Sequence, residues 1–344
     1  MRIIHAVIVR SQKKIEKAVK IYSYLKTCRF LNYAQRWAFY MAILQGKIDD
    51  ELVIKGGKAY SDKTFFVIRR DGIRAGLFSL YITTIGWINY ALEKGYIPVV
   101  DMSIYRNNYV NKKKRGVDNA WEYYFDQPLG YGIKEAYSAE NLILSSMKLT
   151  DDRPNQSMLF FNNTDGAADK WKRIVDKYVH INRIVLHDIL EEYTKLLGNK
   201  RRVLGVLARG TDYNRLKPSK HPIMPEIDEL ISDTSKMLNE YGCDGIFLAT
   251  EDVFIMKAFR EHFGELIITN NREYIDYKDG YICQKHNARD NDEYLSGKEY
   301  LATIWMLSRS AYILCGRTSG AVAAVLMADK GFDHSKFYDL GEYK

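Results

Sequence analysis

Apolar and polar positions along this chain switch between two periods. Phe65-Phe66-Val67-Ile68 is a short aromatic and β-branched run, which predicts a strand. Residues 76–94 repeat apolar positions at helical spacing, and 96–101 return to a buried strand ending in a carboxylate, Asp101. Strand, helix and strand in about forty residues make a βαβ unit. Asn119 is expected to open a further helix, 141–144 to form a strand, and 169–197 to form one helix stopped by Gly198-Asn199. Beyond 199 the rhythm is more regular. Strands are predicted at 203–208, 245–250, 266–269 and 312–315, and helices at 225–241, 253–263, 298–309 and 319–328. A long loop is expected at 209–224 and a polar one at 270–296. Residues 1–60 read as helices up to a turn at Gly56-Gly57. Alternating strands and helices imply parallel sheets. The junction between two α/β domains is expected near 199, giving 1–198 and 199–344.

Composition narrows this picture. A chain of 344 residues with 47% hydrophobic residues exceeds one ordinary core and suits two. A charged fraction of 27% argues against disorder. The 26 tyrosines offer stacking area with a hydroxyl, which suits sugars and bases as well as half-buried surface. The formal charge of +8 favours polyanions, whether nucleic acid, anionic lipid or phosphorylated small molecules. Basic residues cluster early, at Arg10, Lys13, Lys14, Lys17, Lys20, Lys26 and Arg29, with Glu16 alone against them. Apolar residues between them fit either an interfacial helix touching a membrane through residues 1–30 or an ordinary helix with a solvated basic face. No basic-aromatic nucleic-acid module is written here. Four scattered cysteines contain no CxxC pair, which excludes a zinc ribbon and points to a reducing compartment. The opening residues lack a signal's length and cleavage site, and no stretch is apolar enough to span a bilayer. The expected location is cytoplasmic, with peripheral contact at the inner membrane face as a further expectation.

In open α/β sheets ligands bind beyond the carboxyl ends of strands, and polar residues collect there. Arg209-Gly-Thr-Asp212 follows the strand ending at Ala208 and leads to His221-Pro222. A guanidinium at a strand end matches a diphosphate bidentately, or pairs with Asp212 to brace the loop. Thr250-Glu251-Asp252 follows the next strand. These side chains accept bonds from a nucleoside, or cap the following helix. Gly316-Arg317-Thr318-Ser319-Gly320 opens a helix of small residues. Glycines for close approach, hydroxyls, bare amides and a cation make it the best phosphate cradle in the chain. The triplet Asp290-Asn-Asp292 has a metal-binding look, but it lies in a polar loop rather than at a strand end.

Taken in order, these clusters resemble the α-1,6-fucosyltransferase and O-fucosyltransferase superfamily. Leu207-Ala-Arg-Gly-Thr-Asp212 with His221-Pro222, then Ile246 to Asp252, then Leu307 to Ser319 match its three motifs in register. More loosely, 76–101 resembles its first strand–helix unit. The resemblance implies a GT-B-like fold of two Rossmann-like domains with a nucleotide-sugar cleft between them. It also implies a GDP-sugar donor in the C-terminal domain, inversion, and no metal or other cofactor. Carried across residue by residue, Arg209 matches the phosphate-binding arginine, Asp252 the acidic position that holds the nucleoside, and Thr318 and Ser319 the phosphate-binding hydroxyls and amides; Thr250, Glu251, Arg317 and Gly320 beside them are further donor-site candidates. Gly76, Phe78, Ser79 and Asp101 fall on the acceptor side or in the cleft. Two departures stand out: the motif's histidine is Leu207, and its second arginine is Gly210. Arg317 is expected to replace that lost cation. Asp212, His221 and Asp101 are candidate bases. The expected activity is transfer of fucose, or another hexose from a nucleotide donor, to a glycan or lipid-linked acceptor in surface polysaccharide synthesis. The alternative is a nucleotide-sugar-binding protein without turnover.

Overall fold

The computed structural model describes residues 18, 21–22, 24–72, 75–160, 167–209, 211–276 and 287–344. Arg10, Lys13, Lys14, Lys17 and Lys20 lie outside them, and with them most of the expected interfacial helix. Compactness divides the chain into one unit of Met1–Ile73 with Trp87–Asp151 and another of Arg74–Gly86 with Asp152–Lys344.

The first unit holds helix α1 (Tyr33–Leu44), strand β1 (Leu52–Lys55), strand β2 (Ala59–Arg69) and the second half of helix α2 (Leu77–Glu93). Strand β3 (Ile97–Asp101), helix α3 (Ile133–Ser138) and strand β4 (Ala139–Leu144) complete it. The sheet order is β1-β4-β2-β3, with β2 parallel to both neighbours and β1 antiparallel to β4. Phe39, Phe65, Val67, Val99, Tyr105, Tyr137 and Leu142 fill its core. Gln35 and Asn32 reciprocally cap the start of α1.

The second unit adds helices α4 (Ala167–Tyr178), α5 (Arg183–Leu197), α6 (Thr211–Leu216), α7 (Ile227–Tyr241), α8 (Val253–Phe263), α9 (Asp292–Leu307) and α10 (Ser319–Met327). Its strands are β5 (Val203–Leu207), β6 (Gly245–Ala249), β7 (Ile267–Ile268), β8 (Tyr312–Gly316) and β9 (His334–Tyr338). All five are parallel, in the order β7-β6-β5-β8-β9. From β5 the chain winds outward through β6 to β7, then returns to place β8 and β9 on the other side. The winding therefore reverses between β5 and β8, and a crevice opens at their carboxyl ends. Leu204, Val206, Ile246, Leu248, Phe259 and Leu314 form the core beneath it.

Several expectations are corrected. The boundary expected near 199 falls at Asp151/Asp152, because α4 packs on α10 and α5 on α9. Residues 74–86, expected in the first domain, belong to the second unit. The helix expected from Asn119 is a series of turns, because the Asn119 amide is spent on Val100 O (2.8 Å) and Met102 N (2.9 Å). The single helix expected at 169–197 is two, since Asn182 accepts from Val185 N at 3.0 Å and starts α5 afresh. The loop after β5 contains α6, and α9 begins at Asp292 rather than 298. Strands β1 and β9 were not anticipated.

Candidate functional site

The carboxyl ends of β5 and β6 meet α9 in a narrow cleft lined by Leu207, Ala208, Arg209, Thr250, Glu251, Arg272, Tyr300 and Thr303. Arg209 is half-buried, and its guanidinium carbon lies 4.9 Å from the centre of the Tyr213 ring. That ring is in turn 5.5 Å from the exposed imidazole of His221. Asp212 stands in the first turn of α6, and its side chain lies outside the described atoms, as does Gly210.

Arg272 was not anticipated. Its side chain is 6% exposed. One guanidinium nitrogen is 3.5 Å from Glu251 Oε2, and another donates to Thr303 Oγ1 at 3.3 Å. Thr303 is tied in turn to Asn270 Oδ1 at 2.9 Å. Among the described residues the buried Nε of Arg272 has no hydrogen-bond partner, and neither has that of Arg317. The segment carrying it is held by a bridge between Asp252 and Ile275, with Ile275 N donating to Glu251 O at 2.8 Å. Arg272 therefore presents a fixed guanidinium on the β6 side of the crevice.

Tyr300, also unanticipated, links this cleft to the phosphate-cradle candidate. Burial pushes its hydroxyl up to about 12, against the pull of nearby Arg209, so it is a neutral donor at physiological pH. A Cβ added to Gly320 would stand 2.8 Å from that hydroxyl and 3.6 Å from Leu207. Gly320 is thus packed against the end of β5. Thr318 caps α10, accepting from Ala321 N at 3.1 Å, and Ser319 is the first helical residue. The helix N-terminus therefore opens at the switch point between β5 and β8, where its free amides suit an anion. Gly316 allows the turn to pass Met224, whose sulfur would lie 2.8 Å from an added Cβ.

Other candidates are spent on structure. Arg317 pairs with Asp339 at 2.6 Å and with Glu342 at 3.7 Å, so the cation expected to serve the crevice is committed to the C-terminal segment. Asp252 is buried and caps α8, accepting from Phe254 N (2.7 Å) and Ile255 N (3.2 Å). Thr250 Oγ1 accepts from Asp252 N at 3.2 Å. In the first unit, Asp101 is fully buried. One of its oxygens accepts from Ser103 (2.9 Å from N, 2.6 Å from Oγ) and the other from Tyr137 (2.9 Å). Burial raises its pKa, and the carboxyl acts as an internal strut rather than a base facing an acceptor. Gly76 heads α2, its carbonyl accepting from Ser79 and Leu80. Phe78, expected in acceptor contact, is buried edge-on against Tyr300 at 4.9 Å, inside the second unit. Ser79 O accepts from Thr83 Oγ1 at 2.8 Å. Asp292 of the acidic triplet accepts from Arg289 Nε (2.6 Å) and Asn287 N (2.8 Å). Among the described residues His187, Asp188 and Glu191 bring three ligand atoms within 4.8 Å of one another; they stand on α5, and Asp188 is engaged by Lys298.

The missed residues leave faint traces in the sequence. Arg272 follows β7 by four residues, as Arg209 follows β5 by two. Tyr300 and Thr303 lie three apart, on one face of α9.

No protein-family model matches the chain, and no curated protein sequence does. Solved structures do. The fucosyltransferase NodZ from Bradyrhizobium is 15% identical, with a TM-score of 0.44 over 77% of this chain and 94% of that one. A mutant of FUT1 from Arabidopsis thaliana in complex with GDP is 10% identical, with a TM-score of 0.43 over 90% of this chain and 77% of that one. POFUT1 in complex with GDP is 9% identical, with a TM-score of 0.48 over 81% of this chain and 99% of that one.

Proposed function

We propose that this chain is an inverting, metal-independent glycosyltransferase. In this reading it moves a sugar, fucose in the first instance, from a GDP-linked donor to a glycan or lipid-linked acceptor in the cytoplasm, toward surface polysaccharide. The observation that carries the reading is the β5/β8 switch point. Arg209 and the Tyr300 hydroxyl stand there beside the N-terminus of α10, and the buried fork of Arg272 lines the same cleft from the β6 side. The three sequence motifs support the same donor.

The chemistry follows from charge. As the bond to the anomeric carbon breaks, negative charge gathers on the departing diphosphate. Preorganised guanidinium forks and helix-end amides stabilise it without reorganising. Arg209 supplies one fork. Arg272 takes the place expected of Arg317, because it lines the same cleft as Arg209 whereas Arg317 is paired with Asp339 and Glu342 of the C-terminal segment. Glu251 fixes Arg272 in place but offsets part of its charge, so Arg209 and the α10 amides carry much of the attraction for the diphosphate. Asp101 drops out as a base through burial. His221, exposed beside Tyr213, is the described candidate to take the acceptor's proton.

Thermal-shift measurements with GDP, UDP, ADP and CDP, each with and without EDTA, test the donor. Selective stabilisation by GDP that survives EDTA is expected, and Arg209→Lys should reduce it sharply because an ammonium cannot reproduce the fork. A flat response to all four nucleotides sinks the proposal. Binding of GDP-fucose with neither hydrolysis nor transfer would instead identify a binding protein.

A further inference from the structure

Helix α1 is apolar on two sides. Gln35, Phe39 and Ala42 face inward, and the helix packs on β1. The other side carries Tyr33, Trp37, Tyr40 and Leu44, which are 88%, 63%, 40% and 79% exposed. Steps of four, three and four residues align them in one stripe roughly 60° wide and about 16 Å long. A helix resting on a folded unit ordinarily turns charged or polar residues outward. Here the outward stripe is three rings and a leucine.

The surroundings are basic. Arg29 precedes the helix, Arg36 adjoins Trp37 and Lys47 follows the helix; all three are exposed. Lys55 and Lys58, also exposed, flank Gly56, whose carbonyl accepts from the capping Asn32 of α1. The helix contains no acidic residue. The same imbalance holds along the chain. Residues 1–48 carry ten Lys and Arg against Glu16 alone, a net of +9, while the whole chain is +8; residues 49–344 are therefore net −1. The positive excess thus lies in the segment that contains this stripe, although Asp49, Asp50 and Glu51 follow it directly.

We infer that the α1 stripe is a docking surface for an anionic lipid bilayer. Tyrosine and tryptophan rings settle at the headgroup level, a leucine reaches the acyl boundary, and the flanking lysines and arginines meet anionic headgroups. A second copy of the chain would bring the same basic segment against itself, which opposes pairing through this face. Single-stranded nucleic acid would use the rings as stacking platforms but gains nothing from Leu44. The inference extends the membrane contact expected of residues 1–30 to a described surface, and it stands independently of the donor site.

The test is flotation of the full chain with phosphatidylcholine vesicles, with and without phosphatidylglycerol, beside the double variant Trp37→Ser/Leu44→Ser. Both substituted residues are exposed, so an unchanged thermal unfolding midpoint checks that the variant is folded. The wild-type chain should float with the anionic vesicles only, less so as salt rises. The double variant should lose at least about tenfold in partitioning. Equal flotation of variant and wild type overturns the inference. So does indifference to phosphatidylglycerol, a dimer in gel filtration that the variant abolishes, or loss of DNA binding in place of vesicle binding. GDP stabilisation should be the same in both proteins, so failure here leaves the donor reading intact, and the reverse.

Discussion

Replacing Gly320 by alanine probes the junction on which the proposed donor site rests. The new Cβ would meet Tyr300 Oη at 2.8 Å, Ile304 Cδ1 at 3.2 Å and Leu207 Cδ2 at 3.6 Å. The Ile304 methyl can yield by a small rotation. The Tyr300 hydroxyl ends a rigid ring held edge-on against Phe78 at 4.9 Å, so relief requires the whole ring to tilt. Overpacking of this kind costs about 1–3 kcal/mol, and the better helix propensity of alanine returns up to about 1 kcal/mol. Gly320→Ala should therefore destabilise the fold by about 1–2 kcal/mol and pull Tyr300 from its place beside Arg209. Oη is the only Tyr300 atom among the three nearest contacts, so every other ring atom lies no closer than 3.6 Å. In a Tyr300→Phe background the clash is gone, and the same change should be neutral or stabilising. Urea unfolding of the four proteins measures the coupling, expected at about 1–3 kcal/mol in favour of the double variant. An equal cost of Gly320→Ala in both backgrounds would refute the packing argument and the role given to Tyr300 as the link between β5 and α10.

Two further predictions follow from neighbouring charges. Arg272→Lys keeps the ion pair with Glu251 but loses the fork; GDP affinity should fall at least about tenfold while stability changes by less than about 1 kcal/mol, read by calorimetry and urea unfolding. Asp233, on α7, accepts from Lys336 (2.5 Å), Tyr338 (2.6 Å) and Lys236 (3.2 Å). Burial alone would raise its pKa, but these bonds outweigh it and hold the carboxyl at about 2, against 3.8 when unperturbed. A depressed folded-state value stabilises fully above about pH 4, and that stabilisation is lost as pH falls toward 2. With Lys236 and Lys336 solvent-exposed, the contribution is about 1 kcal/mol, and Asp233→Asn should flatten the acid limb of stability against pH between those values. An unchanged limb would show that the three bonds do not discriminate the charged form.

What the sequence discloses depends on how far apart the deciding residues lie. Strands β5, β6 and β8 are buried along their whole length and appear as unbroken apolar runs, so they and the residues just beyond them were legible. Strand β9 is largely exposed and reads His-Ser-Lys-Phe-Tyr, with no such run; only pairing with β8 defines it. The same distinction governs the site. Arg209 and Gly320 could be named because a strand end or a helix start lies next to each in sequence. Asp252 could be assigned two compatible duties, and the cap is local enough to be filled whatever else the residue does. Arg317 looked as suitable as Arg209 because its partners, Asp339 and Glu342, lie 22 and 25 residues further on. Arg272 looked like part of a polar loop because β7 is only two residues long, and its own partner Glu251 precedes it by 21 residues. Motif reading thus singled out Arg317, whose partners in the structure are Asp339 and Glu342, and passed over Arg272, which lines the cleft. Local sequence determines only those groups whose supports are themselves local; a guanidinium held buried by a partner 21 residues away, as Arg272 is by Glu251, is written nowhere near its own position.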